Sequence, residues 1–414
     1  MKVLFVTDSI YEQSIYTNSR MITGLAVMCR DICDEISKRC ECYVLPYRLK
    51  NKDIITCQNI HILQSGVTYL LRYYTLNLFY QNIRSLFSKK EKKLLYLKLL
   101  YNYFSNLYNK YKFDLVHFHD ITSVNLALIK ECENQKIPYV VTMHMYVGQK
   151  YRNLKEVFNQ YSVYEDNCRI AFNSYQEMNV VTVSSGMKER IATDYPYFNP
   201  QNITVILNSS KYAEEVLRLG NISLNIEKKI LLIIGSVQTR KNQIQLFPAI
   251  KYIPESLLSQ IEFHFIGTDK EGVLNKKIKE YGLENTCKYL GIIPHKDLAE
   301  HYNNSFATIS LSLLESFGLT FIESFAFGKP VIMFDDLDAF EDIYTEDCCV
   351  PITEHTDEAV ANAIINCVNK TWDEAIIKQH AKKFNMDTLR ESYISLYNNI
   401  LNNDTTENNS RNRL

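Results

Sequence analysis

The sequence lacks an excess of charge of one sign, a long apolar run and any pair of cysteines in Cys-x2-Cys spacing. Its 46 basic and 47 acidic residues nearly cancel, so no overall field would attract a nucleic acid. No apolar run reaches the roughly 20 residues that a membrane-spanning helix needs. The missing cysteine pair argues against a structural zinc site. These absences weigh against nucleic-acid-binding, membrane-spanning and zinc-stabilised classes of protein.

The 11 cysteines that are present are not spaced like a disulfide framework. Cys29 and Cys33 fall on an amphipathic helical pattern, and Cys40 and Cys42 alternate along a predicted strand. Reduced thiols are the usual state in the cytosol. The segment MKVLFVTDS is expected to form a buried strand, since its apolar run is too short for a signal peptide. We therefore expect a cytoplasmic protein without disulfides or metal sites.

Strand-like apolar runs alternate with helical patterns almost throughout the chain. The first series covers 2–7, 42–47, 115–118, 139–144 and 180–184, and the second covers 205–207, 230–235, 263–267, 307–314 and 330–334. Continuous apolar strands separated by helices indicate parallel sheets that are covered on both faces. The sequence therefore predicts an α/β protein with two doubly wound, Rossmann-like domains and a cleft between them.

A polar stretch without a strong strand pattern separates the two series. We interpret 208–228 as a linker between a first domain at 1–207 and a second domain at 229–385. The polar end of the chain, 402–414, is predicted to be disordered.

The segment 54–112 departs from the alternation and is predicted to be a helical insertion. It carries nine Lys or Arg residues and one Glu, among many Tyr, Leu and Phe residues. A basic, aromatic-rich helical pair could lie on an anionic membrane surface. Alternatively, it is a solvated helical face packed on the first domain.

The most informative segment is ESFGLTFIE, which begins at Glu315 and ends at Glu323. The strand before it is predicted to end in a turn at Gly318, and a helix is predicted to begin near Leu319. A helix N-terminus at a strand end suits a phosphate, and Glu323 would lie about one turn into the helix, within reach of ligand hydroxyls. Two exposed acids at such a junction also occur in many α/β proteins, so this interpretation depends on the neighbouring residues.

Other residues at predicted strand ends fit the same ligand. Gly235 ends one strand, and Arg240 and Lys241 follow at the predicted start of a helix, where two cations could clamp a diphosphate. The strand at 263–267 ends in another glycine, Gly267, and after it come Gly291 and Ile292, where exposed backbone could bind a nucleobase. Ligands bind at the carboxyl ends of strands in open α/β sheets. The convergence predicts a nucleotide-sugar site in the second domain.

These residues together resemble the family 4 glycosyltransferases, retaining enzymes of the GT-B fold. The shared order is G-x5-K, FIG, YLG, E-x7-E and FGKPV in the second half. VVTVSSGMKERI and VILNSS, which contains Asn208, match the family before and at the domain crossing. The closing segment at 384–401 resembles the helix that returns to the first domain, which we place at 386–401.

The resemblance implies a role for each matched residue. Arg240 and Lys241 would hold the donor diphosphate, and Glu315 would contact sugar hydroxyls near the reacting centre. The remaining donor contacts would be the backbone N–H groups of Phe317, Gly318 and Leu319, the ribose-binding Glu323, and the base-stacking Gly291 and Ile292. His144, at the end of a predicted strand, matches the active-site histidine of the family. His117 and His119, by contrast, alternate with apolar residues and are interpreted as core or rim histidines.

The chain departs from the family pattern at three places. Gly24 is the single glycine where relatives usually have a pair near the acceptor. Ser236 stands where relatives often have an arginine, for which Arg240 could compensate. Asp338 and Ala339 replace a common glycine pair.

The resemblance implies transfer of a sugar from a UDP- or GDP-sugar to a hydroxyl of a glycan or lipid-linked acceptor, with retention of configuration. Neither a cofactor nor a metal ion would be required, because cations and a helix N-terminus stabilise the leaving diphosphate. We expect a cytoplasmic enzyme of cell-surface polysaccharide synthesis, associated with the inner face of the membrane. The alternatives are another GT-B enzyme, such as a sugar-nucleotide epimerase or a phosphorylase, and a non-catalytic partner subunit.

Overall fold

Two parallel sheets organise the chain, as predicted. The computed structural model describes residues 1–8, 24–47, 54–64, 89–219, 228–294 and 297–411. The first sheet has the strand order β3-β4-β2-β1-β5-β6-β7-β8, and all its pairs are parallel except β3 with β4. Its strands are β1 (Lys2–Thr7), β2 (Glu41–Pro46), β3 (Ile55–Cys57), β4 (Ile60–Ile62), β5 (Leu115–His119), β6 (Tyr139–Met143), β7 (Asn179–Thr182) and β8 (Ile203–Val205).

The second sheet is parallel throughout, with the order β11-β10-β9-β12-β13-β14. Its strands are β9 (Lys229–Ile234), β10 (Ile261–Ile266), β11 (Cys287–Tyr289), β12 (Ala307–Ile309), β13 (Val331–Phe334) and β14 (Cys349–Ile352). The chain crosses from one sheet to the other after β8.

Helices connect the strands and cover both sheets. In the described part of the chain they are α1 (Gly24–Ser37), α2 (Lys89–Tyr111), α3 (Ser123–Gln135), α4 (Lys155–Ser174), α5 (Ser185–Asp194), α6 (Lys211–Leu219), α7 (Leu246–Ile250), α8 (Glu255–Leu258), α9 (Val273–Tyr281), α10 (Leu298–Asn304), α11 (Leu319–Ala326), α12 (Phe340–Ile343), α13 (Asp357–Asn369), α14 (Glu374–Ala381) and α15 (Met386–Arg411). None of them combines the length and apolar character needed to cross a membrane.

The first sheet is apolar on both faces because helices cover both. Ile32 of α1 and Tyr393 of α15 pack on one face, whereas Phe104 of α2, Leu128 of α3 and Phe172 of α4 pack on the other. Parallel strands buried in this way are apolar along their whole length. This is why the continuous apolar runs predicted the central strands well.

The last helix, α15, returns to the first domain. Its Tyr397 hydroxyl lies 2.6 Å from Nδ1 of His117, and its Tyr393 hydroxyl lies 3.1 Å from Oγ1 of Thr142. The helix runs to Arg411, whereas the sequence predicted its end at 401 and a disordered tail at 402–414. The polar residues after 401 include no proline or glycine that would stop the helix.

Short elements account for other differences from the prediction. The segment interpreted as a linker at 208–228 contains α6, which buries Ala213 and Val216. The sequence missed β3, β4, β11 and β14, since strands of three or four residues carry little periodic signal. The strand predicted at 205–207 was assigned to the second series, but it is β8 of the first sheet, which pairs with β7 and ends at Val205.

The predicted helical insertion at 54–112 begins with the strands β3 and β4, and its residues 65–88 lie outside the described part. In α2, the apolar side chains of Leu99, Leu100, Tyr103, Phe104 and Leu107 are buried in the core of the first domain. Packing on the domain, rather than insertion into lipid, therefore accounts for these side chains.

Candidate active site

Glycines bring the ends of β9 and β10 close together. Gly235 and Gly267 both have φ of 144°, and a Cβ atom on Gly267 would overlap the Gly235 carbonyl. The side-chain amide of Gln243 donates to the carbonyls of Gly235 (3.3 Å) and Ser236 (3.1 Å). A Cβ atom built on Gly235 would lie 3.7 Å from Cε of Lys241. The strand end and the cationic turn after it therefore form one rim.

Arg240 and Lys241 lie in a 3-10 turn, Thr239–Lys241, and not at the start of a helix as predicted. Asn242, with φ of 49°, ends this turn, and α7 begins only at Leu246. Nζ of Lys241 donates a hydrogen bond to Oε2 of Glu315 in an ion pair. Both side chains are largely buried, with 19% and 17% of their surface exposed.

Glu315 reaches Lys241 because the strand before it is shorter than the sequence predicted. The prediction was 307–314, but β12 ends at Ile309. The Leu313 N–H then donates to the Arg240 carbonyl (2.8 Å), and the Arg240 guanidinium donates to the Leu314 carbonyl (3.4 Å). The Ser310 N–H still donates to the Ile332 carbonyl of β13 (2.9 Å), whereas Leu313 and Leu314 bond to the cationic turn.

The charge on Glu315 is set by its two cationic neighbours. Burial by itself would raise the pKa of its carboxyl, but Lys241 and then Arg240 lower it, and the net shift is downwards. Glu315 is therefore an anion at neutral pH. The arrangement places one carboxylate and two cations at the same strand end.

The helix α11 begins at Leu319, as predicted, and its positive end lies at this rim. Gly318 has φ of 85°, and a Cβ atom there would overlap the Phe321 ring. The Phe317 side chain is buried against Phe384, so only its backbone could face a ligand. The Ser316 hydroxyl is buried and finds no hydrogen-bond partner in the part of the chain that the structure describes.

Glu323 is more deeply buried than the sequence suggested, with 5% of its surface exposed. Its carboxylate accepts hydrogen bonds from the hydroxyls of Tyr302 (2.9 Å) and Ser210 (3.4 Å). These two hydroxyls hold the carboxylate in place about one turn into α11. Neither Tyr302 nor Ser210 was identified from the sequence.

The predicted base-binding residues lie at the end of β11. Gly291 has φ of 77°, and its carbonyl accepts from the Gly267 N–H (2.9 Å). Ile292 is 71% exposed. A cavity of about 590 Å³ lies between the loops after β9 and β10 and the helix α4. Its described lining includes Ser236, Thr239 and Glu156 but none of the predicted charged donor contacts.

His144 follows β6 in the first domain and is fixed by two hydrogen bonds. Its backbone N–H donates to Oδ1 of Asp120 (2.7 Å), and its Nε2 lies 2.8 Å from Nδ1 of His119. Burial lowers the pKa of His144 to about 4 and that of His119 well below its usual value. Both imidazoles are therefore neutral at physiological pH.

The other histidine, His117, is a core residue, as one interpretation of the sequence held. It is fully buried, and its two ring nitrogens are paired with Tyr397 and Thr142. Gly24 is the first residue of α1, and residues 9–23 before it lie outside the described part, so its acceptor-side role stays a prediction.

One group of described side chains has spacing that could hold a metal ion. It consists of Cys29, His119 and His144, whose ligand atoms lie within 4.8 Å of one another. The two imidazoles, however, are hydrogen-bonded to each other, and burial raises the pKa of the Cys29 thiol above its usual value. In this arrangement the group is an internal contact of the first domain.

Apolar packing joins the two halves of the site. Leu314, next to Glu315, packs against Val147 and Tyr151, which follow His144 along the chain. The Tyr151 hydroxyl is buried, and none of the described residues forms a hydrogen bond with it. The loop after β6 and the loop before Glu315 therefore face each other across the domain boundary.

A buried ion pair also links the domains. Arg190 of α5 donates to the Asp338 carboxylate, and the Gly186 N–H donates to the Asp338 carbonyl (3.1 Å). Ser185 adds two bonds to Asp342, of 2.7 and 2.6 Å. Asp338 was singled out in the sequence only as a departure from the family pattern. In the structure, this aspartate is the ion-pair partner of Arg190.

Comparisons with known proteins agree with this architecture. The family model described as Glycosyltransferase Family 4 matches residues 22–209, and the model Glycosyl transferases group 1 matches residues 221–384. HepE from Anabaena, solved in complex with UDP, has the same fold, with a TM-score of 0.64 and 16% identity over 96% of this chain and 100% of that one. The fold is therefore GT-B.

Two curated relatives are similar in sequence. One is an uncharacterised glycosyltransferase of Methanocaldococcus jannaschii, 22% identical over 54% of this chain. The match spans 57% of that relative's length. The other is an uncharacterised protein in the cps region of Klebsiella pneumoniae, 21% identical over 76% of this chain and 87% of the relative. With both family models matched in order, the chain belongs to the family 4 glycosyltransferases.

Proposed function

We propose that the protein transfers a sugar from a nucleoside-diphosphate sugar to a hydroxyl acceptor, with retention of configuration. The observation that carries this proposal is the contact between Lys241 and Glu315 at the N-terminus of α11. It combines cations for a diphosphate with a carboxylate for sugar hydroxyls, and both lie at a strand end, where ligands bind in such sheets.

Each residue of the rim has a role in this proposal. Arg240 and Lys241 bind the diphosphate, and binding displaces Lys241 from Glu315, which then accepts from sugar hydroxyls. Glu323, held by Tyr302 and Ser210, accepts hydrogen bonds from the ribose hydroxyls. The backbone at 317–319 binds the phosphate or sugar, and the base lies against Gly291 and Ile292.

The reaction depends on stabilising the leaving diphosphate. Charge develops on its oxygens as the bond to the anomeric carbon breaks, and fixed cations and helix N–H groups stabilise that charge more than they stabilise the bound donor. The leaving phosphate accepts the proton of the acceptor hydroxyl on the same face, so no separate base is needed. The proposal requires no metal ion.

The substrates are proposed from chemistry and from the relatives. HepE binds UDP, which supports a UDP-sugar, with a GDP-sugar as the other nucleotide class to be tested. The location of the Klebsiella relative in a cps region supports a cell-surface polysaccharide or lipid-linked glycan as acceptor. We propose that the enzyme acts on the cytoplasmic side of an anionic membrane, with the exposed Lys110 and Lys112 at the end of α2 towards the lipid.

The donor site is tested by substitution at its two ends. Lys241→Ala and Glu323→Ala are expected to lower turnover by about two orders of magnitude, because the first removes a cation that stabilises the leaving diphosphate and the second removes the group that positions the ribose. A thermal-shift screen of UDP- and GDP-sugars first identifies the donor, and NMR of the product reports its anomeric configuration. Lys251→Ala and Glu358→Ala, at surface positions of the same domain, serve as matched controls.

Near wild-type transfer in both donor-site variants would refute the assignment. An inverted product would refute retention. Donor binding without transfer to any acceptor would favour the non-catalytic partner subunit.

A further inference from the structure

The hydrogen bond between His119 and His144 connects a buried ring to a partly exposed one. Nδ1 of His119 and Nε2 of His144 are 2.8 Å apart. His119 has 1% of its surface exposed, whereas His144 is half-buried. One of the two nitrogens must carry the proton of this bond, because a neutral imidazole has one donor and one acceptor nitrogen.

The surroundings of Nε2 of His119 indicate which of the two bonded nitrogens carries the proton. Nε2 of His119 is buried and has no hydrogen-bond partner among the described residues. If His144 donated, His119 would carry its own proton on Nε2, as a buried N–H without an acceptor. Buried N–H groups without partners are rare in proteins, whereas unpaired acceptors are tolerated more often. The favoured arrangement therefore has the proton on Nδ1 of His119.

We infer that His119 is a positioning residue, which donates Nδ1–H to Nε2 of His144 and thereby fixes the proton of His144 on its own Nδ1. The bond made by one imidazole nitrogen sets the state of the other. His144 then offers an N–H donor, and not a base, to an oxygen of the substrate. This last step rests on the proposed function, whereas the tautomer does not.

Neighbouring contacts hold His119 and His144 in place relative to each other. The backbone N–H of His144 is held by Asp120, and the His119 ring is stacked on His117, with ring centroids 4.5 Å apart. His117 is in turn bonded to Tyr397 of α15. The returning helix thus supports the strand from which His119 projects.

The tautomer can be read by NMR of protein labelled with 15N-histidine. Long-range proton–nitrogen correlations distinguish a protonated from a bare ring nitrogen, and His144→Asn identifies the His144 signals. We expect wild-type His144 to be protonated on Nδ1 and bare on Nε2. A wild-type spectrum with the proton on Nε2 would overturn the inference without any variant.

Two substitutions test the role of His119. His119→Phe keeps the ring volume and removes both nitrogens, so His144 should lose its single tautomer. His119→Asn keeps an N–H donor near the Nδ1 position and should restore it. His380→Phe removes a different buried imidazole, one bonded to the Ile343 carbonyl (2.8 Å), and should leave the His144 signals unchanged.

Kinetics then connect the tautomer to catalysis. His119→Phe is expected to lower kcat about 10- to 100-fold, the range found when partners that orient metal-bound histidines are removed, and His119→Asn should recover most of the loss. An unchanged His144 tautomer in folded His119→Phe would overturn the inference. If Lys241→Ala transferred sugar at the wild-type rate while the tautomer was as expected, the donor site alone would be wrong.

Discussion

Two carboxyl groups of the candidate site are shifted in opposite directions by their surroundings. Glu315 is buried beside Lys241 and Arg240, which lower the pKa of its carboxyl. Burial raises the pKa of Asp120 to about 7, although its bonds from the His144 backbone and the Tyr164 hydroxyl oppose the rise. Neither pKa shift could be predicted from the residue type alone, because the groups that surround each carboxyl come from distant parts of the chain.

The raised pKa of Asp120 predicts a pH-dependent stability. Between its unfolded value near 4 and its folded value near 7, the folded protein binds a proton that the unfolded chain does not. Stability from this group is therefore present at low pH and is lost as the pH rises through 7. Asp120→Asn keeps an acceptor for His144 and tolerates the positive φ of 63°.

Urea unfolding of both proteins at pH 5 and pH 8 tests this prediction. The wild type should lose stability relative to Asp120→Asn by up to a few kcal/mol between these pH values, since one pKa unit is worth about 1.4 kcal/mol. Asp166→Asn, an exposed position on α4, is the control. An equal difference between wild type and Asp120→Asn at both pH values would contradict the raised pKa.

At the scale of elements, the sequence predicted the start of α11 but not the end of the strand before it. Gly318 and the apolar pattern after it placed the start of α11 correctly at Leu319. The run at 307–314 is apolar enough for one long strand, yet Ser310 and Ser312 are hydrogen-bonded to each other (3.0 Å) where the chain leaves the sheet. Serine side chains compete in this way with regular backbone pairing.

From the exposed lysines at the end of α2 we predict that the protein associates electrostatically with anionic lipid. Leu99, Leu100, Tyr103, Phe104 and Leu107 are buried in the core, whereas Lys110 near the end of α2 and Lys112 just after it are exposed. Each lysine contributes about 1 kcal/mol at an anionic surface. Sedimentation with phosphatidylserine vesicles should show binding that weakens at high salt, and Lys110→Glu with Lys112→Glu should reduce it by about tenfold or more.

Lys251→Glu, in the second domain, controls for net charge in the vesicle experiment. Binding that is insensitive to salt, or equal on neutral phosphatidylcholine vesicles, would contradict the electrostatic model.

At the scale of the molecule, a buried ion pair fixes how the two domains meet. Arg190 and Asp338 have 15% and 2% of their side chains exposed, and they are 148 positions apart. Arg190 also donates to the carbonyls of Tyr146 (2.6 Å) and Val147 (2.7 Å) in its own domain. The loop that follows His144 and the loop that contains Asp338 are thus bound to the same guanidinium.

Asp338→Ala is expected to weaken the domain contact by about 1–3 kcal/mol, because Arg190 loses its charged partner but keeps two carbonyls. Small-angle scattering should then show a larger radius of gyration, and transfer should slow. Asp336→Ala removes an exposed pair with Lys150 (3.2 Å) at the same boundary and should change stability by less than about 1 kcal/mol. Scattering from Asp338→Ala that matches the wild type would refute this role.

The sequence by itself determined the two parallel sheets, the start of α11 and the residues of the second-domain rim. These depend on periodicity, glycine and charge within short segments. Only the tertiary structure decided that Lys241 bonds Glu315, 74 positions away, that Tyr302 and Ser210 hold Glu323, and that Arg190 meets Asp338. The physical reason is that a pattern along the chain reports which face of an element is buried. How the sheets and helices pack decides which distant side chains are buried against each other.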